Sequence, residues 1–452
     1  MKNRNSNMLS GPLFGSIIGY TIPIILTSFL QLLFHAADLV VVGKFCGSIS
    51  VAAVGSTGSI TNLLVNLFIG LSVGVGVSIA HGMGSRSKDE VQKTVHTAVP
   101  VAVVCGLFLT VIGIRFSEPL LRRMGTPDDV LPLSSSYMKV YFAGMTFTLL
   151  YNFCASILRA AGDTKSPLLY LLISGVMNVA LNLVFVLGYD LNVVGVALAT
   201  VISQAVSAML VMAALMKRQD CCRLELKQMR FHKRQLSKIL WIGLPSGIQG
   251  SLFAISNVTI QSSVNSFGAV FMSGNAAASN LEGFLYSAMN AFQQTAVNFI
   301  GQNSGARQYK RVSRILWICL GCVTVLGMLM GGLFYAFGHS LLSIYISDSE
   351  AAITYGLIRI MIVHLPYFIY GLMDVSTGAL RGLGSSLTPM VISILGVCGL
   401  RVGWVYTIFQ MQGFHTPQCL YTSYPISWII TFIFQITAFI LVYRKKAVRE
   451  IK

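Results

Sequence analysis

Long apolar runs alternate with short polar segments along the whole chain, which has 452 residues. Each run is about 20 residues or longer, the length that an α-helix needs to cross the hydrocarbon core of a bilayer. Continuous runs argue against a membrane β-barrel, because barrel strands alternate apolar and polar positions over about 10 residues. The pattern predicts an all-α polytopic membrane protein with about twelve transmembrane helices, over residues 16–42, 52–80, 91–114, 133–157, 167–188, 194–216, 238–265, 277–300, 313–337, 355–377, 387–409 and 421–443.

The longest polar stretch lies near the middle of the chain, at residues 217–237. It separates six predicted helices from the six that follow. We therefore predict an N-terminal lobe over residues 1–216, a basic cytoplasmic linker over residues 217–237 and a C-terminal lobe over residues 238–452.

The two predicted lobes contain matching sequences. SILRAAGDTKSP, before the fifth helix, resembles GALRGLGSSLTP, before the eleventh. Because six is an even number, both copies enter the membrane in the same orientation, and such parallel repeats place the substrate path between the lobes in several transporter folds. In each turn we expect the glycine to close one helix and the proline to open the next, with a gating role as the alternative. The matched pairs keep one constant spacing: Arg159 and Arg381, Gly162 and Gly384, Pro167 and Pro389.

The formal net charge of +17 comes from 32 Lys and Arg residues against 15 Asp and Glu residues. Most basic residues fall on one side of the predicted topology, while the loops of the opposite side hold Lys44, Arg115, Arg122 and Arg123. This asymmetry follows the positive-inside rule and predicts a multi-pass protein of the cell membrane with both termini in the cytoplasm. We expect the basic loops to contact the lipid bilayer and no nucleic acid to be bound.

Acidic residues at membrane depth are the strongest functional signal, because a charged side chain is costly there. Three are predicted, namely Asp38, Glu282 and Asp374. A carboxylate in this setting usually faces a cavity or a partner and marks the path of an ion or a substrate. Burial disfavours the charged form, so Asp38 is suited to bind and release a proton.

Several segments across the chain are informative when taken together. They are AADLVVVGKFCG in the first helix, LRAAGDTKSP before the fifth, NVALNLVFVLG and GVALATVISQ in the fifth and sixth, IGLPSGIQG in the seventh, FIGQNSGA at the end of the eighth and LRGLGSSLTP before the eleventh. Over nearly its whole length the chain thus resembles the multidrug and toxic compound extrusion (MATE) family, and most closely its DinF-like branch. The resemblance implies two six-helix lobes in a V, and export of small lipophilic or cationic organic compounds by H⁺ or Na⁺ antiport through alternating access.

The resemblance also implies a coupling site in the first lobe. Asp38 occupies the family's helix-1 carboxylate position, and Asn178 and Asn182 resemble the polar pair of the fifth helix. The DinF-like branch often has Asp at the position of Asn182, so this sequence departs there. Asn152 and Thr200 are expected to complete the cluster. Asp38, Asn178 and Asn182 could hold Na⁺, but the single formal charge of the lobe favours a proton.

In the second lobe, Asp374 resembles the aspartate of other branches of the family, and Glu282 is the other candidate. Pairing with a helix dipole or a structural bond is the alternative for Glu282.

Three further residues of the first helix are candidates for a supporting role. Pro23 removes one backbone hydrogen bond and permits a bend that protonation of Asp38 could alter. His35 and Gln31 lie one and two turns before Asp38 on the same helical face, where they could relay a proton. A packed or partnered histidine is the alternative for His35.

The sequence gives less support to other classes of function. The chain has no G-x-x-x-x-G-K-[ST] phosphate loop and no evident nucleophile–base pair. We therefore expect a transporter that is not an enzyme and needs no cofactor besides its coupling ion. We also expect a monomer. The alternative is a flippase for lipid-linked precursors on a related two-lobe fold, which commonly has a basic cavity. Here the predicted charges at membrane depth are acids, with Arg401 as the main exception. Gly70 and Gly74 form a G-x-x-x-G pair that predicts close helix packing.

Overall fold

The computed structural model describes residues 8–346 and 349–448 of the chain. In this described part the regular structure is helical throughout, as the apolar pattern predicts, and no β-strand is present. The predicted cytoplasmic termini lie partly outside it, at residues 1–7 and 449–452.

The described residues form two compact units. The first unit contains Ile22–Gly247, and the second contains Met8–Thr21 together with the chain from Ile248 onward. The segment Met8–Thr21 belongs to the second unit because its side chains pack there. The rings of Tyr20 and Phe299 meet edge to face with centroids 5.3 Å apart, and the hydroxyls of Thr21 and Thr295 lie 2.8 Å apart.

Within the described residues, seven α-helices precede the predicted linker. A π-helical turn, Val184–Gly188, extends the sixth of them. The core of the first unit lies between the apolar faces of the second, third, fifth and seventh helices, where Val75, Val95 and Phe153 are fully buried. The seven helices are α1 (Leu13–Phe45), α2 (Ser48–Gly84), α3 (Lys88–Arg123), α4 (Leu131–Ala143), α5 (Met145–Ala160), α6 (Lys165–Leu183) and α7 (Asn192–Met216).

In the remaining described part of the chain there are nine α-helices, and the first of them begins at Lys233, inside the predicted linker. Two of them continue through π-helical turns, Ile360–His364 and Ile394–Gly399. The nine helices are α8 (Lys233–Asn265), α9 (Ala269–Gly305), α10 (Tyr309–Ala336), α11 (Gly338–Ser343), α12 (Glu350–Arg359), α13 (Tyr367–Gly382), α14 (Leu387–Ser393), α15 (Leu400–Tyr406) and α16 (Pro417–Val448).

The helices have the length and composition of a multi-pass membrane protein. Within the described ranges, nine helical segments are long and apolar enough to cross a membrane, and two bent helix pairs bring the number to 11. The predicted count of twelve is reached only with α9, which has 37 residues but carries many amide and hydroxyl side chains. Polar side chains on a membrane helix usually face the interior of the bundle.

Two of the predicted continuous helices are bent. The segment predicted at 133–157 is divided into α4 and α5, which meet at 46°, and the one predicted at 355–377 is divided before α13 with a bend of 43°. The first bend lies at Gly144, where an added Cβ would come within 2.5 Å of the Val201 side chain. The second lies at Pro366, which cannot donate a helical hydrogen bond. Apolar periodicity does not register these local breaks.

The internal repeat is visible in the backbone conformation. Gly162 and Gly384, at matched positions, take positive φ angles of 91° and 84°. Each follows the end of a helix, where its N–H bonds back to the carbonyl of Arg159 or Arg381 at 2.9 and 2.7 Å. The prediction that these glycines close a helix is confirmed, because the left-handed conformation is favourable mainly for glycine.

Glycines bring α2 and α8 into backbone contact. A Cβ on Gly70 would lie 2.2 Å from the backbone nitrogen of Gly247, and one on Gly74 would lie 2.3 Å from the Ile239 carbonyl oxygen. The predicted role of the G-x-x-x-G pair in close helix packing is confirmed.

Candidate functional site

Asp38 lies in the second half of α1, and its carboxylate accepts a hydrogen bond from the side chain of Asn182 on α6. The distance from Asn182 Nδ2 to Asp38 Oδ1 is 2.5 Å. Among the described residues, no Lys, Arg or His side-chain nitrogen lies within 4.0 Å of the Asp38 carboxylate. The charge is therefore stabilised by an amide dipole but not neutralised by a cation.

The hydrogen-bonded cluster continues from Asn182 to two further predicted residues. Asn182 Nδ2 also lies 3.4 Å from Asn178 Oδ1, and Asn178 Nδ2 donates to the hydroxyl of Thr200 on α7 at 3.4 Å. Thr200 in turn donates to the carbonyl of Val196 at 3.0 Å. The structure thus brings together the carboxylate, both amides and the hydroxyl that the sequence groups.

An unsatisfied oxygen marks this cluster as a place for a cation. Asn182 is fully buried, and its Oδ1 has no hydrogen-bond partner within the described chain. Buried polar atoms are normally satisfied, so an orphaned oxygen beside a carboxylate fits a proton-bearing group or a small cation. Asp38 and Asn182 supply the oxygens that such an ion prefers.

Four other predicted residues do not join the cluster. The Asn152 amide donates to Thr148, in its own helix, at 2.8 Å. His35 and Gln31 are exposed side chains of α1, and in the described structure neither is hydrogen-bonded to Asp38. Helix α1 continues unbroken through Pro23.

Tyr137 is a neighbour of Asp38 that the sequence analysis missed. Its ring stacks on that of Tyr141 with centroids 6.1 Å apart, and Tyr137 packs in one apolar cluster with Val41 and Val42 of α1. The two tyrosines are four residues apart on α4, so their shared helical face is visible in the sequence. Nothing in the sequence places that face toward α1.

In the second unit, Asp374 on α13 repeats the pairing of a carboxylate with an amide. Gln293 Nε2, on α9, donates to Asp374 Oδ1 at 2.7 Å, and Asn290 donates to Gln293 Oε1 at 3.2 Å. Asp374 Oδ2 is buried without a hydrogen-bond partner among the described residues. Asp374 therefore also carries an oxygen that is available to a proton or a cationic group.

Glu282, the other predicted acid of the second unit, is held in a buried ion pair. Its Oε2 lies 2.5 Å from Arg359 Nη2, and its Oε1 accepts a hydrogen bond from the Tyr367 hydroxyl at 3.3 Å. Arg359 also donates a hydrogen bond to the Asn275 side chain. The short contact with Arg359 corresponds to the structural alternative that the sequence left open for Glu282.

The sequence predicts acids at membrane depth with Arg401 as the main exception, and in the second unit two further arginines are buried beside it. Arg359, Arg381 and Arg401 are buried there, each 5% or 6% exposed. Arg359 lies inside the apolar run predicted at 355–377, so hydropathy alone could have found it. Its acidic partner lies 77 residues away in the chain, and no local pattern identifies that pair.

A cavity of about 360 Å³ lies within the second unit. Its lining includes Glu282 and Arg359, together with Arg401 and a group of aromatic side chains that surround Trp428. The volume is within the range of small-molecule sites, which combine mostly apolar walls with a few placed polar groups. This cavity is a second candidate site, built from side chains that the sequence analysis mostly did not select.

Known proteins similar to this chain agree with its repeated organisation. The MatE family model matches residues 23–184 and 245–407, once in each half of the chain. A Bacillus subtilis protein named "Probable multidrug resistance protein YoeA" is 26% identical over 445 residues, which cover 96% of this chain and 94% of that protein. The Staphylococcus aureus "Multidrug export protein MepA" is 22% identical over 386 residues, 85% of each chain.

Solved structures share the fold. One is described as "Outward-facing conformation of a multidrug resistance MATE family transporter of the MOP superfamily". It aligns with a TM-score of 0.90 and 19% identity, and the alignment covers 100% of both chains.

Proposed function

Because this chain belongs to the MatE family, we propose that it is a secondary active transporter that exports small organic compounds in exchange for a coupling cation. The names of its relatives, multidrug resistance and multidrug export proteins, support the substrate class. We propose lipophilic or cationic compounds as substrates, a monomer as the working unit, and the cell membrane as its location with the basic loops in the cytoplasm. Assignment to the DinF-like branch remains a prediction.

The observation that carries the coupling proposal is the hydrogen bond between Asn182 and Asp38. A carboxylate in a membrane segment is costly and is retained where it serves an ion or a substrate. Here the described residues supply one amide donor and no cation within 4.0 Å. We propose that the coupling ion supplies the positive charge that neutralises Asp38.

A proton is the proposed coupling ion. Asp38 is the only acid of the cluster, and one proton neutralises it completely. A Na⁺ ion is the alternative, with the oxygens of Asp38, Asn178 and Asn182 as ligands. The two ions differ in what they require, because Na⁺ needs several oxygens at once whereas a proton needs only one.

The test is transport of ethidium by the purified protein in liposomes, with pH and Na⁺ gradients imposed separately. We expect a pH gradient alone to drive ethidium movement and a Na⁺ gradient alone to have no effect. Movement driven only by Na⁺ would assign coupling to the alternative ion. Movement driven by neither gradient would refute antiport.

The matched variants are Asp38→Asn and Asp129→Asn. Asp129 is an exposed loop residue of the same unit, so its substitution removes the same charge away from the cluster. We expect Asp38→Asn to lose gradient-driven transport and Asp129→Asn to keep it. Full coupled transport by Asp38→Asn would remove Asp38 from the proposed site.

The flippase alternative gains support from the buried arginines of the second unit, because lipid-linked precursors carry anionic phosphates. Arg359 is neutralised by Glu282, which leaves Arg401 as the unpaired charge of the cavity. A pyrophosphate is normally bound by more than one cation or by several backbone amides. Movement of a fluorescent lipid-linked pyrophosphate across the bilayer, in liposomes that do not transport ethidium, would favour the flippase.

A further inference from the structure

The guanidinium of Arg401 is buried in the second unit, and no described residue supplies a carboxylate partner for it. Its only hydrogen bond within the described residues runs from Nε to the Ser427 hydroxyl, at 2.9 Å. No carboxylate oxygen of the described chain lies within 4.0 Å of it. The terminal amino groups therefore keep unused N–H donors, and a buried cation in this state is unfavourable unless an anion or another acceptor reaches it.

The other buried arginines of this unit have partners. Arg359 is bound by Glu282 and by Asn275, and Arg381 donates to Gln249 Oε1 at 2.9 Å. Among the described residues, Glu282 forms its close ion pair with Arg359 at 2.5 Å, and it forms none with Arg401 within 4.0 Å. Arg401 differs from both neighbours in lacking an acceptor for its terminal amino groups.

Arg401 also lines the cavity of the second unit. Glu282 and Arg359 line the same cavity and cancel each other's charge, so Arg401 leaves it with one net positive charge. Its guanidinium lies over the Tyr424 ring, 4.0 Å from the centroid, and 5.6 Å from the Trp428 ring centroid. These rings attract and orient the cation but do not neutralise it.

Aromatic side chains form the wall beside this charge. The ring centroid of Trp428 lies 5.2 Å from that of Tyr367 and 5.6 Å from that of Tyr370. The ring centroid of Tyr286 lies 5.9 Å from that of Tyr370. Such a wall packs well against a planar ring through edge-to-face and offset-stacked contacts.

We propose that this cavity binds aromatic carboxylates, with the carboxylate on the terminal amino groups of Arg401 and the ring against the wall around Trp428. A guanidinium suits this partner because its planar donors match the two oxygens of a carboxylate. The consequence for transport, that the protein exports aromatic anions or zwitterions as well as cations, rests on the proposed function. The binding of aromatic carboxylates to this cavity does not rest on the proposed function.

The test uses the purified full-length protein in detergent and three probes with the same ring system. Naphthoate, naphthamide and naphthylmethylammonium carry a negative charge, no charge and a positive charge. Equilibrium dialysis gives their affinities. We expect naphthoate to bind at least about tenfold more tightly than naphthamide, and naphthylmethylammonium to bind no better than naphthamide.

Three variants test whether the preference for naphthoate depends on Arg401. Arg401→Gln should abolish it, and Arg401→Lys should keep part of it, because an ammonium retains the charge without the planar fork. Arg444→Gln should leave it unchanged, since Arg444 is exposed near the end of α16. Thermal melting and ethidium transport establish that Arg401→Gln is folded. If Arg401→Gln is not folded, the proposal is tested by the Arg401→Lys variant and by the charge preference of the unmodified protein.

Equal affinity for the three probes, or a naphthoate preference that survives in Arg401→Gln, would overturn the proposal. Ethidium transport without naphthoate binding would overturn it and leave the export function standing. Naphthoate binding that depends on Arg401, in a protein that moves no ethidium, would support the site and count against the export function.

Discussion

Gln293 on α9 donates a hydrogen bond to Asp374 on α13 at 2.7 Å, and the second carboxylate oxygen is buried without a partner among the described residues. In the first unit, Asn182 likewise donates a hydrogen bond to the carboxylate of Asp38. Both units thus hold a carboxylate that is bonded to an amide instead of a cation. An amide can hold the carboxylate in place without cancelling its charge, which leaves each acid able to attract a cation.

Asp374→Asn should lower the affinity for cationic substrate while Asp38→Asn abolishes coupling. If loss of this charge costs about 1.4 kcal/mol of substrate binding, KM for ethidium rises roughly tenfold. Transport by Asp374→Asn should still follow the pH gradient at saturating ethidium. The measurement is the rate of ethidium movement into liposomes over a range of concentrations. If Asp374→Asn instead loses its response to the gradient at every ethidium concentration, the second unit holds a coupling site.

Asn182→Leu should reduce gradient-driven transport much more than Asn152→Leu. A hydrogen bond to a charged group contributes about 1.5–3 kcal/mol, so loss of the bond to Asp38 predicts roughly a 10- to 100-fold decrease. Asn152 bonds only to its own helix, and its substitution should stay within about twofold of the original rate. Initial rates in liposomes compare the two variants. Equal losses would show that the hydrogen bond to Asp38 has no special role.

Replacement of one member of the Glu282–Arg359 pair should destabilise the protein more than replacement of both. A single substitution leaves one buried charge unpaired and costs about 3–5 kcal/mol, whereas replacement of both by apolar residues is often neutral. Thermal unfolding in detergent should therefore show low midpoints for Glu282→Leu and Arg359→Met, and recovery of most of the loss in the double variant. Additive losses in the double variant would mean that the two charges do not stabilise each other.

Gly70→Ala should lower stability, while Gly58→Ala should not. A Cβ at Gly70 meets the backbone of α8 at 2.2 Å, and backbone cannot rotate away. Overpacking of this kind costs about 1–3 kcal/mol. A Cβ at Gly58, in the same helix, meets nothing within 4 Å. Thermal midpoints and folded yield check the difference, and equal midpoints for the two variants would show that α2 and α8 can separate without cost.

The membrane class, the internal repeat and the isolated carboxylate of Asp38 can be read from the sequence alone. A bilayer imposes its length and polarity on every spanning helix separately, so each helix is visible as a local run of apolar residues. Asp38 stands out for the same reason, because a carboxylate in such a run contradicts the local pattern. The resemblance to a known family supplied Asn178 and Asn182 as its companions.

Which polar groups are in contact depends on the tertiary structure and cannot be read from the sequence. Asp38 and Asn182 are 144 residues apart, and Asn275 and Arg359 are 84 apart. Asn152 is predicted to complete the cluster around Asn182, yet its amide donates to a carbonyl of its own helix. Contacts of this kind depend on the rotation and tilt of whole helices, which are set by packing, glycine crossings and bends such as the one at Gly144. Hydropathy fixes where a helix lies along the chain but not which of its faces meets which neighbour.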